Sequence, residues 1–219
     1  MNGRWGSVLK AALGIVFVAL FVDRFFPSIP LSLFSHERVP GPIPLAEPVQ
    51  ESAGTREPWA ERRRGYRFTI RPRATYDVSA RVASTERYWA GAAGALVPWD
   101  FVLTWGDVTR EPYLSKVTYV QIGRFYNWPT NDGSLDPGIV ASQSANTHLI
   151  PADSRVAFAL GRVRTGDVVR LVGDLVDVAG PDGFEWKTSL SRTDTGAGGC
   201  ELLYVRAATV WSRLFRGDS

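Results

Sequence analysis

The sequence predicts a mainly β protein: a small, barrel-like extracytoplasmic domain with one short helix, carried behind an N-terminal transmembrane helix. Three observations predict it. Residues Ala11 to Val22 form an unbroken apolar run, AALGIVFVALFV. The chain that follows, as far as Tyr66, is rich in proline. From Tyr66 onward, period-two alternation and turn residues recur, the pattern of short strands with one buried face. The 219 residues, 45% of them apolar, allow one domain besides a targeting segment, at about 100–200 residues per domain.

The apolar run has the length of a signal-peptide core, about 7–15 residues, yet no small-x-small cleavage pattern follows it. Phe25-Phe26-Pro27 and Ser32-Leu33-Phe34 stand at those places. Lys10 can snorkel, so a helix from Trp5 to Phe26 reaches spanning length. Residues 1–26 are therefore expected to be an uncleaved signal anchor, with a cleaved signal peptide or a buried soluble helix as the alternatives. Arg4 and Lys10 on its short N-terminal side favour N-in, C-out, which places the rest of the chain outside the inner (cytoplasmic) membrane.

Eight prolines between Pro27 and Pro72 make residues 27–65 read as a semi-extended tether. Six arginines lie between Arg62 and Arg73. They suit anionic headgroups or acidic glycans, or else a solvated linker end, and the linker is the preferred expectation. Residues 1–73 hold 11 Lys and Arg against 6 Asp and Glu, while residues 74–219 hold 14 against 16. The folded part is near neutral and lacks the basic face of a nucleic-acid binder.

Residues 66–219 are expected to fold. Tyr66, Phe68 and Ile70 share one face of a strand, and Tyr76, Val78, Ala80 and Val82 continue the alternation. AGAAGALVP (90–98) is a loop or short helix. PWDFVLTWGDV (98–108) is apolar on both faces and gives no pattern to assign. KVTYVQIGRFY (116–126) predicts one strand by its β-branched and aromatic content. NWPTNDGSLDPG is a loop, and SQSANTHLIP leads from it to Asp153. There Asp153 or Ser154 caps a helix over VAFALGRVR, stopped by Thr165-Gly166-Asp167. VVRLVGDLVDV (168–178) is a strand whose Gly173 suggests a bulge or sharp coiling. GPDG (180–183) turns it into a returning strand, FEWKTSL. ELLYVRAATVW (201–211) ends the domain as a strand or short helix. Strands joined by tight turns, with a helix between the third and fourth, resemble an OB-like barrel in outline.

Two hydroxyl-rich clusters are the candidate sites. One runs through Ser142, Ser144, Asn146, Thr147 and His148. The other is Ser189, Ser191, Arg192, Thr193, Asp194 and Thr195, followed by a glycine-rich bend to Cys200. Cys200 is the single cysteine, so no intramolecular disulfide is possible. A thiolate at Cys200, favoured by His148, Arg192 or Arg206, would be a nucleophile. Ser144, Asn146, Ser191, Arg192 and Asp194 are candidate binding residues, Arg192 and the glycine amides suiting an anionic group. Trp128, before Pro129, is the aromatic expected to be exposed for stacking or contact. A serine nucleophile with His148 lacks a Gly-x-Ser-x-Gly elbow. A metal site lacks the three or four ligands zinc requires, so no metal and no cofactor are expected.

The order His148, Cys200, Arg206, with FALGRVRTGDVVRL after the histidine, resembles the sortases, which are anchored by an N-terminal helix and are exported β-barrels. The resemblance spans about 60 residues and implies a cysteine transpeptidase or hydrolase with His148, Cys200 and Arg206 in its catalytic roles. Cys200 follows Thr195-Gly196-Ala197-Gly198-Gly199, where a sortase has Thr-Leu-x-Thr. The leading expectation is therefore a membrane-anchored binding or assembly domain of the cell envelope, with an envelope protein or glycan as partner and no nucleic acid.

Overall fold

The structure is a computed structural model that describes residues 45–129, 132–191 and 199–211. The predicted anchor lies outside the described residues. Among these, no helix is long and apolar enough to cross a membrane.

The protein is mainly β, as the alternation predicts. The elements are β1 (Val49–Ser52), β2 (Trp59–Arg63), β3 (Tyr66–Arg87), α1 (Gly91–Leu96), β4 (Trp99–Thr104), α2 (Tyr113–Lys116), β5 (Val120–Ile122), β6 (Phe125–Asn127), α3 (Pro137–Ser142), β7 (Ser144–Pro151), α4 (Ser154–Leu160), β8 (Val168–Ala179), β9 (Glu185–Trp186) and β10 (Glu201–Trp211). The sheet pairs β3 with β4, β4 with β7, β7 with β10, β10 with β8, and β8 again with β3. The path therefore returns to the strand it left. All its pairs are antiparallel except β7–β10.

Strand β3 makes that return possible by its length of 22 residues. It passes through Pro72, where the sequence pattern breaks, by a register shift between Pro72 and Ala74. A bulge is where a strand tolerates a proline, whose nitrogen has no hydrogen to donate. The shift also exchanges faces, so Phe68 and Ile70 enter one apolar cluster and Tyr76 and Val78 the other. The larger cluster joins Tyr76, Val78, Phe101, Leu103, Leu149, Leu171 and Leu203 to Val156 and Leu160 of α4. The smaller one joins Phe68, Ile70, Leu96, Ile150, Val176 and Leu202 on the opposite face.

Several expectations change. The span read as tether contributes β1 and β2, both paired with β3. Its prolines permit this because Pro48 and Pro58 stand just before these strands, where no ladder bond is lost. The run 116–126 is not one strand. It ends α2 and then forms the β5–β6 hairpin, with Gly123 at φ 58° and Arg124 at φ 72° in the turn. Two adjacent left-handed residues are what a two-residue hairpin turn demands. The polar stretch before Asp153 is the wholly buried strand β7. β4 is buried on both faces too, which explains its missing alternation. Asp153 does cap α4, its Oδ1 accepting from the N–H groups of Arg155 and Val156 at 2.8 and 2.9 Å. The final segment is a strand.

Candidate functional site

Three strands and one hairpin build the site. Register places Asp100 of β4 directly opposite His148 of β7. Glu201 stands opposite Thr147 across the parallel pair, so Cys200 lies next to Asn146, with His148 two residues further along. The carboxylate oxygen Oδ2 of Asp100 is 2.9 Å from His148 Nδ1, and Oδ1 is 2.9 Å from Arg124 Nη1. Asp100 is fully buried and His148 is 3% exposed.

Arg124 reaches this carboxylate from the hairpin turn. Its Nη2 donates to the Val97 carbonyl at 2.9 Å, and its backbone N–H donates to Tyr88 Oη at 2.9 Å. The guanidinium lies 3.8 Å over the Tyr88 ring, and the His148 ring packs 4.6 Å from that of Trp186. Burial pulls the Arg124 pKa down, and Asp100 and Tyr88 oppose it; an arginine keeps its charge throughout. Asn146 Nδ2 donates to the Arg124 carbonyl, and Gln121 Nε2 donates to Asn146 Oδ1, both at 2.9 Å. The same Asn146 amide is 3.9 Å from Cys200 Sγ. The cluster thus holds the inner side of the β5–β6 hairpin against β4 and β7.

The predicted residues divide. Asn146 and Cys200 come together, with His148 two residues further along β7. Ser144 lies at the start of the same strand, but its hydroxyl donates to the Val140 carbonyl at 2.7 Å, which suits a strand end more than a nucleophile. Tyr126 Oη meets Ser144 at its carbonyl and hydroxyl, 3.1 and 3.2 Å away. Arg206 does not join them. It stands six residues along β10 from Cys200, about 20 Å at strand rise. Its guanidinium, with that of Arg56, flanks the buried Asp174 carboxylate, each at 2.7 Å. Ser191 is exposed, its N–H donating to Ser189 Oγ at 3.0 Å. Trp128 is half-buried, not exposed. Arg192 and Asp194 lie outside the described residues.

Sequence reasoning missed Asp100, Gln121, Arg124 and Trp186. One signal was present: Asp100 is a lone charge inside the apolar run WDFVLTW, and such a charge is buried only with a partner. Among the described residues no three His, Cys, Asp or Glu side chains converge. A cleft of about 210 Å³, lined by residues including Arg81, Thr104, Tyr113 and Tyr119, contains none of the cluster. Ligand pockets usually enclose about 300–1,000 Å³. Comparison with protein-family models, curated proteins and solved structures finds no match to this chain.

Four partly or largely buried tyrosines carry a pH prediction. Burial, the largest cause in each, raises Tyr88, Tyr119, Tyr126 and Tyr204 above the ordinary phenol value. The folded protein then keeps protons that the unfolded chain gives up. The associated stability is full below about pH 10 and is lost as pH rises through the folded values. An ultraviolet titration is expected to show tyrosines that ionise above the ordinary phenol value, with loss of near-ultraviolet circular dichroism. Ionisation of Tyr88, Tyr119, Tyr126 and Tyr204 at the ordinary value while that signal persists would contradict it.

Proposed function

We propose that this chain is a binding or assembly protein of the cell envelope. Residues 1–26 anchor it in the inner membrane, and an OB-like barrel outside the cytoplasm works by surface contact. The path β3–β4–β7–β10–β8, with its parallel β7–β10 pair and α4 between β7 and β8, supports the OB-like reading. An envelope protein or a glycan is the partner in this reading, and nucleic acid is not.

One observation carries it. The polar side chains here hold the hairpin: Asp100 engages Arg124, and Asn146 engages Gln121 and the Arg124 carbonyl, while the buried His148 ring lies 2.9 Å from Asp100 and packs on Trp186. The hairpin's other side is apolar and exposed, at Val120, Ile122 and Phe125. A network that fixes one side of a hairpin presents the other as a stiff surface, which suits recognition at low ordering cost.

A cysteine enzyme is the second reading, favoured by the register that puts Cys200 on the strand beside His148. The pH dependence of Cys200 alkylation separates the two. For a binding domain the profile is expected to be the same in the parent and in folded His148→Gln. A neutral-pH rate that falls tenfold or more in that variant, a difference of about 1.4 kcal/mol, would favour the enzyme.

A further inference from the structure

One end of the domain is assembled from three segments that touch in sequence. Arg64, in the β2–β3 turn, donates from Nη1 to the Trp89 carbonyl at 3.1 Å. Arg87 lies 3.7 Å over the Trp89 ring. Tyr88, the intervening residue, accepts the Arg124 N–H in the hairpin turn, whose flanking residues are Ile122 and Phe125. This end exposes large apolar side chains: Ile122 is 68% exposed, Trp89 58% and Phe125 51%.

Cations accompany them. Arg62 and Arg67 are direct cross-strand partners and both are exposed. Like charges directly opposite in an antiparallel pair repel. Neither forms an ion pair with a carboxylate among the described residues, while neighbouring Glu61 is engaged by Arg63 at 3.1 Å. The pattern is unfavourable in water alone and is relieved by an anionic surface.

We infer that this end of the domain docks on the headgroup region of an anionic lipid bilayer, and this rests on the anchored reading above. Guanidinium groups meet lipid phosphates, while Trp89, Ile122 and Phe125 enter the interface. Arg64 and Arg87, which bond and cover Trp89, set basic groups beside an aromatic one, the mixture found where a protein meets anionic headgroups. Residues 23–44, between the apolar run and the described domain, reach about 75 Å even at full extension. An anchored domain would thus stay at high local concentration near the membrane surface.

The test uses the full chain with Cys200→Ser and Ile122→Cys, the latter carrying an environment-sensitive NBD label. It is mixed with vesicles of phosphatidylcholine, with or without phosphatidylglycerol. The expected result is a blue-shifted, brighter emission with phosphatidylglycerol, quenched by spin-labelled lipid. The double variant Arg62→Glu, Arg67→Glu should remove the dependence on phosphatidylglycerol. In unlabelled chain, Ile122→Ser with Phe125→Ser should weaken retention of the domain at the vesicle surface roughly tenfold or more, read by lipid quenching of tryptophan fluorescence. A label that remains in water on both vesicles would overturn the inference, as would an equal shift without phosphatidylglycerol or without vesicles. Carbonate extraction reads the anchor separately. A chain resistant to carbonate with a watery label keeps the anchor and loses the docking; the reverse result loses the anchor and keeps the docking.

Discussion

Replacing Asp100 with Asn is expected to destabilise the domain by about 3–5 kcal/mol, the usual cost of removing one partner from a buried ion pair. The Asp100 carboxylate is fully buried and meets both Arg124 and His148 at 2.9 Å. An amide keeps the shape but cancels no charge, so the Arg124 guanidinium, only 17% exposed, would stay charged and uncompensated. Urea denaturation reads the loss directly, and for a domain of this size the melting temperature should fall by about 10 °C. The effect should be uneven. Backbone amides of β5 and β6 are expected to lose hydrogen-exchange protection before those of β3 and β8, because the hairpin depends on Arg124 and the closed sheet does not. A second variant guards the interpretation. Replacing Asp100, Arg124 and His148 together by apolar residues of similar volume is expected to recover much of the stability, since a fully removed buried network leaves no orphaned charge. A loss under about 1 kcal/mol in Asp100→Asn, the range of an exposed pair, would show that these groups are solvated and do not fix the hairpin.

The sequence revealed the parts of the fold that alternate and concealed those buried on both sides. β8 and most of β3 read clearly because buried and less buried positions alternate along much of each, with both strands feeding both clusters, and α4 because Asp153 announces its start. β4 and β7 did not. Each lies inside the sheet with one face on the main core and the other under the hairpin, so their outward residues are buried as well. In β7 those residues are Asn146 and His148, polar because they meet Gln121, Arg124 and Asp100; read alone, they looked like a loop. The hairpin was hidden for a different reason. Its Gly123-Arg124 turn lacks the usual Asn or Asp, and Arg124 accepts a left-handed conformation while bonding Asp100, Val97 and Tyr88. Half of the candidate site was legible, since Asn146, His148 and Cys200 stood out by type. Asp100 and Arg124 come from segments 24 residues apart, and only the β4–β7 register brings His148 to the other oxygen of the same carboxylate.

Replacing Gly173 with Ala is expected to cost about 3 kcal/mol or more, or to prevent folding, because overpacking against backbone has no easy relief. A Cβ at this position would stand 2.0 Å from the Tyr204 carbonyl oxygen and 3.2 Å from Val205 Cα. Both atoms belong to the β10 main chain, which is held on its other side by β7. Gly173 itself pairs with Val205 on one side and Tyr76 on the other, beside the register shift between Val205 and Ala207. The strand therefore needs a residue without a side chain where β10 crosses closest. Gly133→Ala supplies the contrast: nothing lies within 4 Å of a Cβ there, and a change within about 0.5 kcal/mol is expected. The comparison is informative because Gly173 is not in a left-handed conformation, so its cost measures the close approach alone. A penalty as small as that of Gly133→Ala would mean that β10 moves aside freely. The return of the sheet to β3 would then rest on side-chain packing, chiefly Leu171, Leu175 and Leu203, and not on the backbone contact at this point.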